Sequence, residues 1–338
     1  MAFVWVRKLT EQERSFFIMF DVVSLGELLI DFTPRGLSEQ GSYVFEANSG
    51  GAPCNVLAAV TKLGKSAAFI GKVGDDTFGH FLCSTLKRLN INTDSLYFSG
   101  DSFTTLAFVT IDDTGNREFS FNRNGSADVM LEPEEIDPEL IKKSKIFHCG
   151  TLSLTDSPSR EATLRALDIA GKNGVLISVD PNLREPLWKS LDDARRAMEL
   201  VLGYADIIKI SDYELEFLYG KKDIKQAALT LWNEYKPKIL FVTCGRDGAY
   251  LLKDDIFLHH PCFDVKTIDT TGAGDCFCGS ALSCMLDKGL DFDSLGADDC
   301  KYILKFASAA ASLATTKRGA IASMPDAGEV IKLVGSKV

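Results

Sequence analysis

The segment Asp269-Thr270-Thr271-Gly272-Ala273-Gly274-Asp275 carries the clearest chemistry in the chain. Two glycines let the backbone turn sharply and approach a ligand with no Cβ in the way. A small-residue stretch, Cys276–Lys288, reads as the helix that follows. The N–H groups of Ala273, Gly274 and Asp275 would then gather at a helix N-terminus, which favours an anionic oxygen. Phosphoryl transfer needs such donors where charge accumulates, together with a carboxylate that takes the proton of the acceptor hydroxyl. Asp275 is placed for that second role. Taken alone, the segment reads rather as a glycine turn with Asp275 as an N-cap.

A second segment, Asn48-Ser49-Gly50-Gly51-Ala52-Pro53-Cys54-Asn55, runs a double glycine into a helix start. It could set backbone and Asn55 against a small polar molecule, or be a turn followed by a helix with proline in its first turn. Other motifs are missing. Gly64-Lys65-Ser66 ends like a P-loop, but the upstream glycine position holds Ala59. No GxGxxG follows the first strand, which leaves a dinucleotide-dependent oxidoreductase unsupported.

The elements that must carry these segments alternate. Val22–Ile30, Ala67–Val73, Ile146–Leu152, Val175–Asp180, Asp206–Ile210 and Ile239–Thr243 read as strands, and Pro53–Gly64 and Thr77–Asn90 as helices. This pattern predicts an α/β fold: a doubly wound, mostly parallel sheet with helices on both faces. Phe32–Asn48 and Thr104–Asn124 read instead as antiparallel pairs, the second around the turn Asp112–Asn116. They form a small inserted β-lid of about residues 32–48 and 102–124, leaving a core of about 19–31, 49–101 and 125–338. Aromatic residues on both faces of this lid (Phe103, Phe108, Phe119, Phe121) call for a partner surface, and a homodimer through the lid supplies one. Residues 1–18 mix aromatic and charged side chains and read as an N-terminal extension, either dispensable or a helix docked on the body.

The 338 residues allow one large domain, and a net charge of −10 speaks against nucleic acid or an anionic membrane as partner. No run reaches the roughly 20 apolar residues of a membrane span. Nine scattered cysteines without metal-site spacing read as reduced thiols of a cytoplasmic protein.

Gly50-Gly51-Ala52-Pro53-x-Asn55, with Gly64 and Gly74 downstream, resembles the N-terminal signature of the ribokinase-like (PfkB) carbohydrate kinases, and Asp269–Gly279 resembles their C-terminal signature. The likeness runs from about Met19 to the end and is strongest to fructokinases. It covers Gly26–Phe32, Phe69–Asp76, Arg123–Asp128, Asp180–Arg184 and Lys209–Leu215. The resemblance implies ATP-dependent transfer to O6 of D-fructose with Asp275 as base, in a catalytic segment with Gly272, Ala273 and Gly274, and with the N–H groups of residues 273–275 as the anion hole. It implies sugar contacts from Asp31, Gly50, Gly51, Asn55, Arg123 and Arg184, with a salt bridge as the alternative role of each arginine. ATP would meet Ser211, Thr243, Gly245, Gly248, Gly272, Gly274 and Ser308. Mg²⁺ would be held through water by Glu214, and K⁺ by Asp269, Thr271, Ala314, Gly319 and Ser323. Ser211 stands where the family has asparagine, Ser280 replaces a smaller residue, and Asn122 replaces an aromatic residue. Aminoimidazole riboside and 2-keto-3-deoxygluconate are the rival acceptors, followed by ribose. A non-catalytic regulator that binds sugar or nucleotide would have lost Asp275 or the Gly-x-Gly, and both are present.

Overall fold

A computed structural model describes residues 19–111, 117–220 and 223–335. Residues 1–18 and the Asp112–Asn116 turn, both singled out above, lie outside the described residues. The strands are β1 (Phe20–Leu25), β2 (Leu29–Leu37), β3 (Tyr43–Gly50), β4 (Ala67–Gly74), β5 (Ile91–Ser99), β6 (Leu106–Ile111), β7 (Arg117–Asn122), β8 (Ser144–Cys149), β9 (Leu176–Val179), β10 (Ile207–Ser211), β11 (Ile239–Thr243), β12 (Ala249–Lys253) and β13 (Ile256–His260). The helices are α1 (Ala52–Lys62), α2 (Thr77–Arg88), α3 (Pro138–Lys142), α4 (Ser159–Lys172), α5 (Leu191–Leu202), α6 (Asp212–Tyr219), α7 (Ile224–Tyr235), α8 (Ala273–Asp287), α9 (Ala297–Ala314) and α10 (Ala327–Gly335).

Nine strands form one sheet in the order β13-β12-β11-β10-β9-β8-β1-β4-β5. It is parallel from β11 to β5, and β12 and β13 close it as an antiparallel edge. Successive residues of the central strands are buried on opposite faces. Val22, Phe69, Ile146, Ile207 and Phe241 belong to one core with α1, α8 and α9. Val23, Ile70, Phe147, Ile208 and Val242 belong to the other with α4, α5 and α7. Burial on both faces is why these strands read as nearly unbroken apolar runs. Among the described residues no helix is long and apolar enough to cross a membrane.

From β1 the chain winds outward to β4 and β5, then returns to β8 and winds the other way. The crevice beyond the carboxyl ends of β1 and β8 is therefore the switch point where such sheets bind ligands.

The lid is a separate four-stranded sheet, β3-β2-β6-β7. The run Val22–Ile30, expected as one strand, is divided: β1 ends at Leu25, Gly26 takes φ 155°, and β2 starts in the lid at Leu29. A Cβ on Gly26 would fall 2.5 Å from the Pro53 ring, so the bend requires glycine. On one lid face Phe32 stacks on Phe108 at 5.0 Å and meets Phe78 of α2 edge-on at 5.6 Å. The body thus covers part of the aromatic surface that the sequence left open.

Candidate active site

Gly272, at φ 76°, turns the chain into α8 and puts Asp275 in the first helical turn. Only glycine fits there, since a Cβ would lie 2.9 Å from that of Ala320. Asp275 is 7% exposed, and its Oδ2 accepts the Asn55 amide at 2.7 Å. Asn55 comes from the first turns of α1, 220 residues away in sequence, so this bond joins the two glycine segments. The Oδ1 of Asn55 is buried with no partner. The Ala273 N–H donates to the Thr270 carbonyl at 3.2 Å, and the N–H groups of Gly274 and Asp275 follow it in the first turn of α8.

Asp31 on β2 closes the same crevice. A Cβ on Gly50 would fall 2.1 Å from Asp31 Oδ2, so Gly50 leaves room for that carboxylate. Gly51, at φ 119°, packs onto the Glu27 carbonyl, where a Cβ would come within 2.3 Å. Burial pushes the Asp31 carboxyl up to about 7; Arg184 draws it down, while Asp275 and Asp269 push it further up. Asp31, Arg184, Asp275 and Asp269 therefore share one electrostatic neighbourhood. Arg184 is partly exposed, and its guanidinium donates to the Leu183 carbonyl and to Asn182 Oδ1 at 3.0 and 3.3 Å.

Arg123 takes the structural alternative. Its guanidinium is buried, pairs with Asp128 at 2.7 Å and donates to Thr155 Oγ1 and the Leu152 carbonyl, both at 2.8 Å. A guanidinium engaged this way holds the lid root to the body.

Residue type and spacing did not single out Lys209. It stands inside the apolar run of β10, buried, with its Nζ 2.9 Å from Asp180 at the end of β9. Burial alone would lower its pKa, but Asp180 and Glu214 raise it, so the ammonium stays charged. Its Nζ lies 3.1 Å from where a Cβ on Gly274 would stand. A fixed cation thus faces the N-terminus of α8. The available signal was a lone lysine between Ile208 and Ile210, opposite an aspartate closing the neighbouring strand.

Beyond the α8 N-terminus lies a cavity of about 540 Å³. Thr243, Gly245, Gly248, Gly274 and Ser308 line it as expected; Arg246, Cys262, Phe263, Thr267, Phe277 and Ser312 line it as well. The Ser308 hydroxyl is buried without a partner, and a mostly apolar cavity with such an unmet polar group suits a flat heteroaromatic ring. Gly248 takes φ 92°, and a Cβ there would lie 2.1 Å from the His260 carbonyl. Ser211 does not line this cavity. It caps α6, and its N–H and hydroxyl bond Glu214 Oε2 at 2.8 and 2.7 Å.

Glu214 Oε1 accepts the Leu183 N–H at 2.7 Å. With both oxygens engaged, this carboxylate fits a magnesium ion that keeps its own waters rather than direct ligation. Among the described residues no group of three or more His, Cys, Asp or Glu could hold a metal unaided. For a monovalent cation, the fold brings the two expected segments together. Asp269 accepts the Thr271 N–H at 2.9 Å and the Gly319 N–H at 3.3 Å, and its own N–H donates to the Thr315 carbonyl at 3.1 Å. Ala314 and Ser323 lie on the same segment as Gly319. The Ser323 hydroxyl donates to the Ala320 carbonyl at 2.8 Å, which leaves its lone pairs for a cation. A carboxylate with hydroxyl and carbonyl oxygens is a donor set that suits K⁺.

The family model described as pfkB family carbohydrate kinase matches residues 19–327. The chain belongs to that family. Among curated relatives, a probable fructokinase-2 of Arabidopsis thaliana is 43% identical over 320 residues, covering 94% of this chain and 96% of its own. Fructokinase-2 of Solanum lycopersicum is 42% identical, with 93% and 95% covered. Among solved structures, the fructokinase of Xylella fastidiosa with bound ATP superposes with a TM-score of 0.84 at 31% identity, covering 93% and 98%. A double mutant of the Vibrio cholerae O395 fructokinase, with fructose, ADP and potassium ion bound, gives 0.83 at 30% identity over the same shares. Membership in the family makes the chain a sugar kinase, a phosphotransferase with an alcohol group as acceptor, on a ribokinase-like fold.

Proposed function

We propose that this carbohydrate kinase transfers the γ-phosphoryl group of ATP to the O6 hydroxyl of D-fructose. The observation that carries the reading is the Asn55–Asp275 bond. It fixes a carboxylate in the crevice where Asp31, Gly50 and Gly51 form one wall and the α8 N-terminus the other. Fructose as the acceptor is supported by the curated relatives and by the fructose-bound neighbour.

The Asp275 carboxylate accepts the proton of the acceptor hydroxyl. The oxygen attacks the γ-phosphorus in line, the new P–O bond forms, and the bond to the β-phosphate oxygen breaks, releasing ADP. The N–H groups of Gly274 and Asp275, with the Lys209 ammonium, meet the negative charge that gathers on the transferring oxygens. Asp31 accepts from sugar hydroxyls, with Arg184 holding the same end. The adenine ring occupies the cavity between Gly245–Gly248 and Ser308. Glu214 would hold magnesium through water, which would supply charge neutralisation at the phosphates, and Asp269, Thr271, Ala314, Gly319 and Ser323 would hold potassium beside the loop before α8. Lid closure excludes water, which would otherwise compete as nucleophile. A cytoplasmic homodimer joined through the lid completes the reading, supported by the outward Tyr43, which is 80% exposed.

The test is ADP release from MgATP in K⁺, comparing fructose, aminoimidazole riboside, 2-keto-3-deoxygluconate and ribose. A clear preference for fructose is expected. Turnover restricted to one of the other three would replace the acceptor. ATP binding with no turnover of any would favour a non-catalytic regulator.

A further inference from the structure

Four stretches of chain pass between the lid and the body: residues 26–28, 51, 100–105 and 123–126. The structure ties them together by buried side chains. Glu27, 4% exposed, sits where β1 gives way to β2. Its Oε1 accepts the N–H of Ala52 at 2.8 Å, the first residue of α1. The cap of that helix is Gly51, which has no side chain, so Glu27 meets the need of the open helix end from another strand. The other two crossings meet at Asp128. Its carboxylate accepts Arg123 Nε and the Ser126 hydroxyl, each at 2.7 Å, and also the Thr105 hydroxyl. Arg123 and Asp128 both act electrostatically on Glu27, so the two halves form one buried cluster.

This placement is costly for a carboxylate. Burial pushes Glu27 up to about 7, partly offset by the Ala52 N–H and by Arg123, while Asp128 adds to the rise. Cys54 on α1 also faces it, and the thiol is pushed up by burial and then by Glu27. Glutamate here is needed neither to fill the core nor to touch the reacting atoms. What it reaches is the start of α1, which carries Gly51 on one side and Asn55, the partner of Asp275, on the other.

We propose that Glu27 is a positioning residue: by bonding the Ala52 N–H it locks the root of the lid to α1, and so sets both lid closure over the acceptor and the Asn55–Asp275 bond. The inference rests on the acceptor crevice described above. It does not depend on which sugar fills it.

The decisive comparison is Glu27→Asp against Glu27→Gln. Aspartate keeps the charge but withdraws the oxygen by one methylene; glutamine keeps the reach and an acceptor oxygen but loses the charge. Glu27→Asp is expected to raise the acceptor KM about tenfold, the scale of one buried hydrogen bond. Glu27→Gln should stay within about twofold of wild type. Both should bind MgATP with unchanged Kd. Without any acceptor, hydrogen exchange at residues 26–30 and 50–55 should be faster in Glu27→Asp than in wild type or Glu27→Gln. Ala52→Pro removes the same bond from the donor side at a helix position that accepts proline. It should reproduce the Glu27→Asp pattern, and it decides the matter if that variant does not fold. Unchanged acceptor KM and exchange in Glu27→Asp or Ala52→Pro overturns the proposal. So does a Glu27→Gln variant as impaired as Glu27→Asp, or losses of ATP affinity and Tm that match the loss for the acceptor. Failure of wild type to phosphorylate fructose would sink the acceptor assignment alone, because the exchange comparison needs no acceptor.

Discussion

At the residue scale, the site depends on how buried charges are held. Asp275→Asn keeps the shape and the bond to Asn55 but removes the proton acceptor. Turnover should fall by on the order of 10²–10⁴-fold with ATP and acceptor binding retained; a near-normal kcat would remove Asp275 from the mechanism. Lys209→Met leaves Asp180 buried without its cation, which costs about 3–5 kcal/mol and should appear as a clear drop in Tm. Adding Asp180→Asn should restore much of that stability while kcat stays low, since the charge facing α8 is still gone. Recovery of kcat in the double variant would mean that Lys209 only supports the fold. Asp31 sets the pH dependence. Its carboxyl, raised to about 7 by burial, must be ionised to accept from the hydroxyls of an arriving sugar. The acceptor kcat/KM should therefore fall as pH drops through about 7. Bound hydroxyls favour the charged form, so kcat at saturation should lose less over the same range. A flat kcat/KM profile from pH 6 to 8 would contradict this assignment of Asp31.

At the scale of elements, glycines do the positioning that side chains usually do. Gly26, Gly51, Gly248 and Gly272 each stand at positive φ, with a neighbour where a Cβ would go. Gly248→Ala tests this most simply. It has to displace the His260 carbonyl and should weaken ATP binding by tenfold or more, with acceptor KM little changed; unchanged Kd for ATP would show that the loop adapts. This reliance on glycine explains what the sequence made legible. Asp275, Asn55 and the two glycine segments could be read because a sharp turn leaves a mark in residue type. Lys209 could not, because within Ile207–Ile210 a buried lysine resembles an ordinary strand residue until its aspartate is placed beside it. Arg123's pairing was hidden for the opposite reason: its partner Asp128 is five residues away, and only the folded turn shows that they pair. The split of Val22–Ile30 was hidden too, since β1 and the start of β2 are both apolar and both buried.

For the whole molecule, the two sheets have different tasks. The nine-stranded sheet is buried on both faces and holds Asp180, Lys209, Glu214 and the cavity of about 540 Å³ at its carboxyl edge. One face of the four-stranded lid carries Asp31, Thr33 and Asn48 together with Ala107 and Phe121, and the other, with Phe32, Phe45 and Phe108, is covered by α2 only in part. Tyr43 and Phe45 remain on its outer side. A Tyr43→Asp/Phe45→Asp variant should sediment as a monomer where wild type sediments as a dimer, with ATP affinity preserved. Wild type that is monomeric at micromolar concentration would dismiss the lid as an interface.

The nine cysteines have one further consequence. Eight are buried, and Cys262, on the wall of the cavity proposed for ATP and beside the Gly245 carbonyl, is exposed. An environment-sensitive dye added to the native chain would attach at one place, without first removing other thiols. Its emission would follow nucleotide occupancy in real time, whichever sugar the crevice proves to accept.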